Sequence, residues 1–152
     1  MSIGTRRDIV ASVSNKVHPN CIVCSLANAR GLHLDFVSDN NGGVTATFDC
    51  DDTLEGYRGF MHGGVISSIL DGAMTHCMFA QGKTAVTAQM SIRFHHPILV
   101  RRMVTVSAHI EKSCPPLYLV KSEIIQASEI KATATGKFLD QPQLLIQGQE
   151  IS

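Results

Sequence analysis

The chain has 152 residues, of which 44% are hydrophobic and 17% charged. That length suits one domain, and so apolar and weakly charged a composition excludes a disordered chain. Thirteen basic residues balance thirteen acidic ones, which argues against binding a nucleic-acid backbone and leaves a surface suited to self-association.

The opening Met1-Ser2-Ile3-Gly4-Thr5-Arg6-Arg7-Asp8 is polar and lacks a signal-peptide core. Cysteines stand at 21, 24, 50, 77 and 114, an odd number, so reduced thiols and a cytoplasmic location are expected. The stretch Gly59–Gly82 is uncharged but for Asp71, yet its serines, histidines and glycines make it too polar to span a membrane.

In chain order, Ile9, Val10, Val13 and Val17 predict a short helix over Arg6–Lys16, broken by Pro19. Leu32–Val37 and Val44–Cys50 alternate apolar with polar residues around Asp39-Asn40-Asn41-Gly42-Gly43, a predicted hairpin. Asp51–Met61 reads as a loop. From His62 the period changes: Val65, Ile66, Ile69, Leu70, Ala73, Met74, Cys77 and Met78 predict a helix of about 17–19 residues ending near Gly82. So little charge on it predicts cover nearly all round. Four strands follow, over Ala85–His95, Met103–Ile110, Tyr118–Gln126 and Lys131–Leu139. One long helix beside an antiparallel sheet of about six strands is an α+β fold, with the helix wrapped by the sheet.

Asp71 is the only charged residue among the 24 between Arg58 and Lys83. A carboxylate in an apolar helix costs stability and needs a reason. It is either a general base or nucleophile, or a structural group capping a loop or pairing with an arginine. At the start of the same helix, His62-Gly63-Gly64 offers backbone N–H groups unobstructed by side chains, where the helix dipole favours negative charge. That arrangement suits an oxyanion, or simply lets the helix pack closely. Gly64 and Asp71 are about 10 Å apart along the axis at 1.5 Å per residue, so the two features would meet only across a two-fold interface.

The run Glu55-Gly56-Tyr57-Arg58-Gly59-Phe60-Met61-His62-Gly63-Gly64-Val65-Ile66-Ser67-Ser68-Ile69-Leu70-Asp71-Gly72-Ala73-Met74 resembles the central helix of hotdog-fold acyl-CoA thioesterases of the phenylacetate-pathway (PaaI-like) type. Cys21-Ile22-Val23-Cys24 with Asn28-Ala29-Arg30-Gly31-Leu32, and Val86–Phe94 with Pro97, resemble flanking segments of that family, so the likeness spans roughly residues 18–140. The resemblance implies Asp71 as base or nucleophile, Gly63 as oxyanion donor with Gly64 beside it, His62 in an orienting or leaving-group role, and Thr87 placing the attacking water. Some relatives carry Asn six residues before the motif histidine. Here that position is Gly56, so either the adjacent Glu55 substitutes or the contact is absent.

Tyr57, Met61, Met74 and Met78 are candidate linings of an acyl tunnel between subunits, and Ser67 lies within reach of Asp71 one turn away. Arg93, Arg101, Arg102 and Lys121 are candidates for the coenzyme A phosphates. His18-Pro19-Asn20-Cys21-Ile22-Val23-Cys24 has no second ligand pair at zinc spacing and no βαβ context for redox work, so a packing turn is expected there, with no metal and no cofactor beyond the coenzyme A of the substrate. The expectation is a single hotdog domain over 1–152, with an N-terminal segment 1–17 and a tail 141–152, forming a dimer or tetramer that hydrolyses acyl-CoA. A non-catalytic acyl-CoA-binding module and a hotdog hydratase or dehydratase are the alternatives.

Overall fold

The computed structural model describes the backbone of residues 6–150. Helix α1 (Arg6–Val17) leads into a turn-rich segment, then β1 (Val37–Ser38) and β2 (Val44–Asp49). A 3-10 turn at Asp52–Leu54 precedes the central helix α2 (Gly63–Phe79). Strands β3 (Ala85–Phe94), β4 (Met103–Cys114), β5 (Leu117–Gln126) and β6 (Glu129–Asp140) follow, and α3 (Gln143–Glu150) closes the described chain. The six strands form one antiparallel sheet in the order β1-β2-β4-β5-β6-β3. This is the hotdog arrangement, a single long helix wrapped by a curved sheet.

Period-two patterning aims one sheet face at α2. Tyr118, Val120, Ser122, Ile124 and Gln126 are buried along β5, and Val104, Val106 and Ala108 along β4. Ala132, Ala134 and Phe138 do the same on β6. From α2, Ile69, Leu70, Ala73, Met74, Cys77 and Met78 meet them with no exposed surface. Pro115 and Pro116 form the tight link between β4 and β5, where Cys114 pairs with Leu117.

Two expectations need correction. Leu32–Val37 is not a strand: only Val37 and Ser38 pair with β2. His33 adopts a φ of 55°, and the amides of Leu32 and Leu34 bond instead to the carbonyls of Ile22 and Val23. Leu34 and Phe36 are still buried, so the alternation was a packing signal without a ladder. Second, α2 is not covered all round. Gly63, Gly64 and Ser68 are exposed and Asp71 is half-buried, leaving a polar stripe open along its N-terminal half. The segment assigned as the tail contains α3. Residues 1–5 and 151–152 of the two terminal segments lie outside the described residues.

Candidate active site

The N-terminus of α2 is built by His62. Its backbone is extended (φ −62°, ψ 135°), and its Nδ1 accepts the Gly64 N–H at 2.8 Å. This is an N-cap in which an imidazole replaces the usual hydroxyl or carboxylate. It occupies one of the two glycine amides. The Gly63 N–H, at the first helical position, has no acceptor among the described residues. Ser67 Oγ donates to the Gly63 carbonyl at 2.9 Å and not to Asp71, and Ser68 does the same to Gly64. Both serines therefore turn back on the preceding turn.

Asp71 sits two turns further along the open stripe. The Thr87 hydroxyl donates to Asp71 Oδ1 at 2.6 Å. Thr87 belongs to β3, and the β3–β6 register slips between Thr87 and Gln89, leaving Ala88 as an extra residue opposite β6. A bulge of this kind bends a strand locally. Asp71 Oδ2 has no hydrogen-bond partner among the described residues. Asp71 and Thr87 thus form one polar pair, while Gly63 lies eight residues back, about 12 Å along the helix.

The loop before the helix is self-supporting. The Gly59 N–H donates to Glu55 Oε1 at 2.5 Å, so that carboxylate holds its own turn. A Cβ at Gly56 would stand 3.0 Å from His62 Cα and 3.2 Å from its Cδ2. Glycine therefore fits closely against the capping histidine, and a larger residue would need His62 to give by a few tenths of an ångström. Tyr57 is 88% exposed. Phe94, at the end of β3, is also exposed, and its ring lies 3.8 Å from where a Gly63 Cβ would stand. Sequence reasoning passed over Phe94 because it read only as one member of a strand alternation.

Met61, Met74 and Met78 do not line an open surface. All three are buried in the protomer core, because they occupy the α2 and loop positions that face the sheet. Glu55, Arg58, Gly59, Leu99, Val100, Arg101 and Arg102 instead surround a cleft of about 540 Å³ beside the loop. Arg101 Nη2 lies 3.1 Å from Asp52 Oδ2. Arg93 and Lys121 are not part of this cleft, and Lys121 pairs with Glu111 at 3.1 Å.

A second cavity, about 620 Å³, lies on another side of α2 and includes His18, Cys24, Phe36 and His76 in its wall. His18, Cys24 and His76 place ligand atoms within 4.8 Å of one another. Burial pushes the His76 imidazole down to about 4 and the Cys24 thiol up to about 12. His18 is lowered too, by burial, with the charge of Asp71 opposing. His76 was not foreseen as a neighbour of the cysteine pair: it lies 52 residues after Cys24 and reads as an ordinary helix residue.

Residues 58–113 match the family model for the thioesterase superfamily. Acyl-coenzyme A thioesterase THEM4 of Mus musculus is 36% identical over 59 residues, 39% of this chain and 25% of that protein. The chain thus aligns with about a quarter of the length of the curated relatives it matches. The PaaI protein of E. coli, from the phenylacetic acid degradation operon, superposes with a TM-score of 0.75 at 20% identity, over 90% of this chain and 96% of that one. The smu.793 protein of Streptococcus mutans, solved bound to acetyl CoA, gives 0.67 at 24% identity, over 72% and 89%. These structures share the hotdog fold with this chain.

Proposed function

We propose that this hotdog chain, whose residues 58–113 carry the thioesterase-superfamily pattern, hydrolyses acyl-CoA thioesters to a free acid and coenzyme A. The observation that carries the reading is the Asp71–Thr87 pair on the open stripe of α2. Thr87 anchors one carboxylate oxygen and leaves the other available to a water.

The site is completed by a second copy. β3 is an edge strand with unpaired backbone groups and exposed Val86 and Phe94, the kind of edge that proteins cover. Pairing of two such edges around a two-fold axis would set Asp71 and Thr87 of one protomer against the Gly63 N–H of its partner. In that site Asp71 takes a proton from water as the water oxygen attacks the thioester carbonyl. The Gly63 N–H, reinforced by the helix dipole, holds the resulting oxyanion. Collapse expels the coenzyme A thiolate, which then takes up a proton. Asp71 attacking directly through the same oxygen would use the same geometry. His62 acts by capping the helix and fixing the direction of the Gly63 amide.

Phe94, whose ring lies beside Gly63, and the exposed Tyr57 of the preceding loop supply the acyl-facing surface. Arg58, Arg102 and, in part, Arg101 line the adjoining cleft and suit the phosphates of coenzyme A. The S. mutans structure with acetyl CoA supports a ligand of that class.

The test is thiol release from short, long and aromatic acyl-CoAs by wild type and Asp71→Asn, with a no-substrate blank for the protein's own cysteines. A base of this kind is worth about 10²–10⁴-fold. Loss of that order in a folded mutant is expected. Acyl-CoA binding without turnover by wild type would replace the reading with a binding module.

A further inference from the structure

The cavity beside α1 joins residues that the proposed chemistry leaves unused. His18 follows the last turn of α1. Cys24 closes the Cys21-Ile22-Val23-Cys24 turn, and His76 comes from the buried half of α2. The turn reaches the helix because Gly72 has no side chain. A Cβ there would stand 2.7 Å from Val23 Cγ1.

We propose that His18, Cys24 and His76 form a zinc site that pins the N-terminal segment and the cysteine turn onto α2. Four observations carry it. The ligand atoms already converge within 4.8 Å. Cys24 Sγ and His18 Nδ1 are 3.8 Å apart. A thiolate and an imidazole sharing one tetrahedral zinc stand about 3.5 Å apart, given Zn–S and Zn–N bonds of ~2.3 and ~2.0 Å. His76 Nδ1 lies 2.7 Å from the Gly72 carbonyl, which can only accept, so Nδ1 carries the proton and Nε2 keeps a lone pair. Tying one ring nitrogen to a backbone carbonyl is how metal-ligating histidines are oriented. The ring is also clamped, stacked on Phe36 at 4.4 Å and edge-on to Phe79 at 4.9 Å.

The outer contacts fit the same role. Ser14 Oγ is 3.5 Å from Cys24 Sγ, and the Val23 N–H donates to Cys21 Sγ at 3.3 Å, tightening the turn. Two imidazoles and a thiolate suit zinc and do not suit calcium or magnesium, which want oxygen. The fourth position takes water. On binding, the Cys24 S–H gives up its proton and the sulfur forms the Zn–S bond. The ion would tie three chain segments together without touching the Asp71 stripe.

The experiment uses the full chain, stripped with a chelator under reducing conditions and titrated with zinc alone or cobalt alone. One zinc per chain by elemental analysis is expected, with a higher melting temperature that chelator reverses. Cobalt should give tetrahedral visible bands and a near-ultraviolet thiolate charge-transfer band. Cys24→Ser should abolish the charge-transfer band, and His18→Gln should weaken zinc binding by more than about tenfold, since outer-sphere losses alone cost about 10–100-fold. Wild type that takes up no stoichiometric zinc, or that binds it equally well in both variants, overturns the proposal. So does a cobalt complex without thiolate character.

Discussion

Thr87, on an edge strand, donates a 2.6 Å hydrogen bond to Asp71 on the central helix, at the point where a bulge breaks the strand register. The contact orients a carboxylate that nothing else among the described residues holds. Its consequence is specific to the hydroxyl. Thr87→Val keeps the shape and removes the donor, and a hydrogen bond to a charged group is worth about 1.5–3 kcal/mol. Turnover should fall by roughly 10–100-fold, and Thr87→Ser should restore most of it. Equal activity in the Val and Ser variants would mean that the bond only supports packing.

Gly72 makes a separate prediction, about stability. Its missing Cβ lets the Val23 side chain lie against α2, and Val23 is β-branched and stiff. Gly72→Ala gains helix propensity but forces an overpacked contact, which typically costs about 1–3 kcal/mol. The net effect should be a lower melting temperature. Adding Val23→Ala should recover part of it, as neighbours couple in a double-mutant cycle. A Gly72→Ala protein as stable as wild type would show that the turn shifts without cost.

β3 alternates in sequence but buries only Ala85 in the protomer. The helix and strands β4 to β6 could be read from period alone, because α2 buries a wide stripe and these strands bury alternate residues along much of their length. Leu34 and Phe36 misled for the same reason. They are buried with a period of two, but hydrogen bonds to Ile22 and Val23, and the turn at His33, are not written in hydrophobicity. Asp71 was conspicuous as the lone charge on its helix. Its tie to Thr87 depends on a bulge, which leaves no pattern in the residues. The His62 cap occupies the Gly64 amide, and the residue pattern alone does not spell that out. The meeting of His76 with His18 and Cys24 spans three elements, and no local spacing could announce it.

The cysteines sort by environment. Cys114 is exposed, whereas Cys50 and Cys77 are buried, with thiols pushed by burial up to about 11 and about 12. A raised value means little thiolate below those values, and the thiolate is the nucleophile. Iodoacetamide at pH 8–9 should therefore modify Cys114 in the native protein and spare Cys50 and Cys77 until denaturant is added. Mass spectrometry of labelled peptides checks this. Rapid native labelling of Cys77 would mean that the C-terminal half of α2 opens readily.

The Gly63 amide can be removed without breaking the helix. Proline at the first helical position is tolerated, since its absent N–H has no intrahelical acceptor there. His62, the residue before it, already has the extended backbone that proline demands. A Cβ at this position meets only the Phe94 ring, at 3.8 Å, an ordinary contact distance. Gly63→Pro should thus fold like wild type and lose about 10²–10³-fold in turnover, the usual cost of one oxyanion donor. Gly63→Ala, which keeps the N–H, should stay close to wild type. Mixing then locates the site. If Gly63 of one protomer serves Asp71 of its partner, a Gly63→Pro and Asp71→Asn heterodimer has one intact site and one doubly defective site. Unfolding and refolding an equal mixture should return about a quarter of wild-type activity, because half the dimers are mixed and each has one working site. A site contained within one chain would return none, since every protomer then lacks one group.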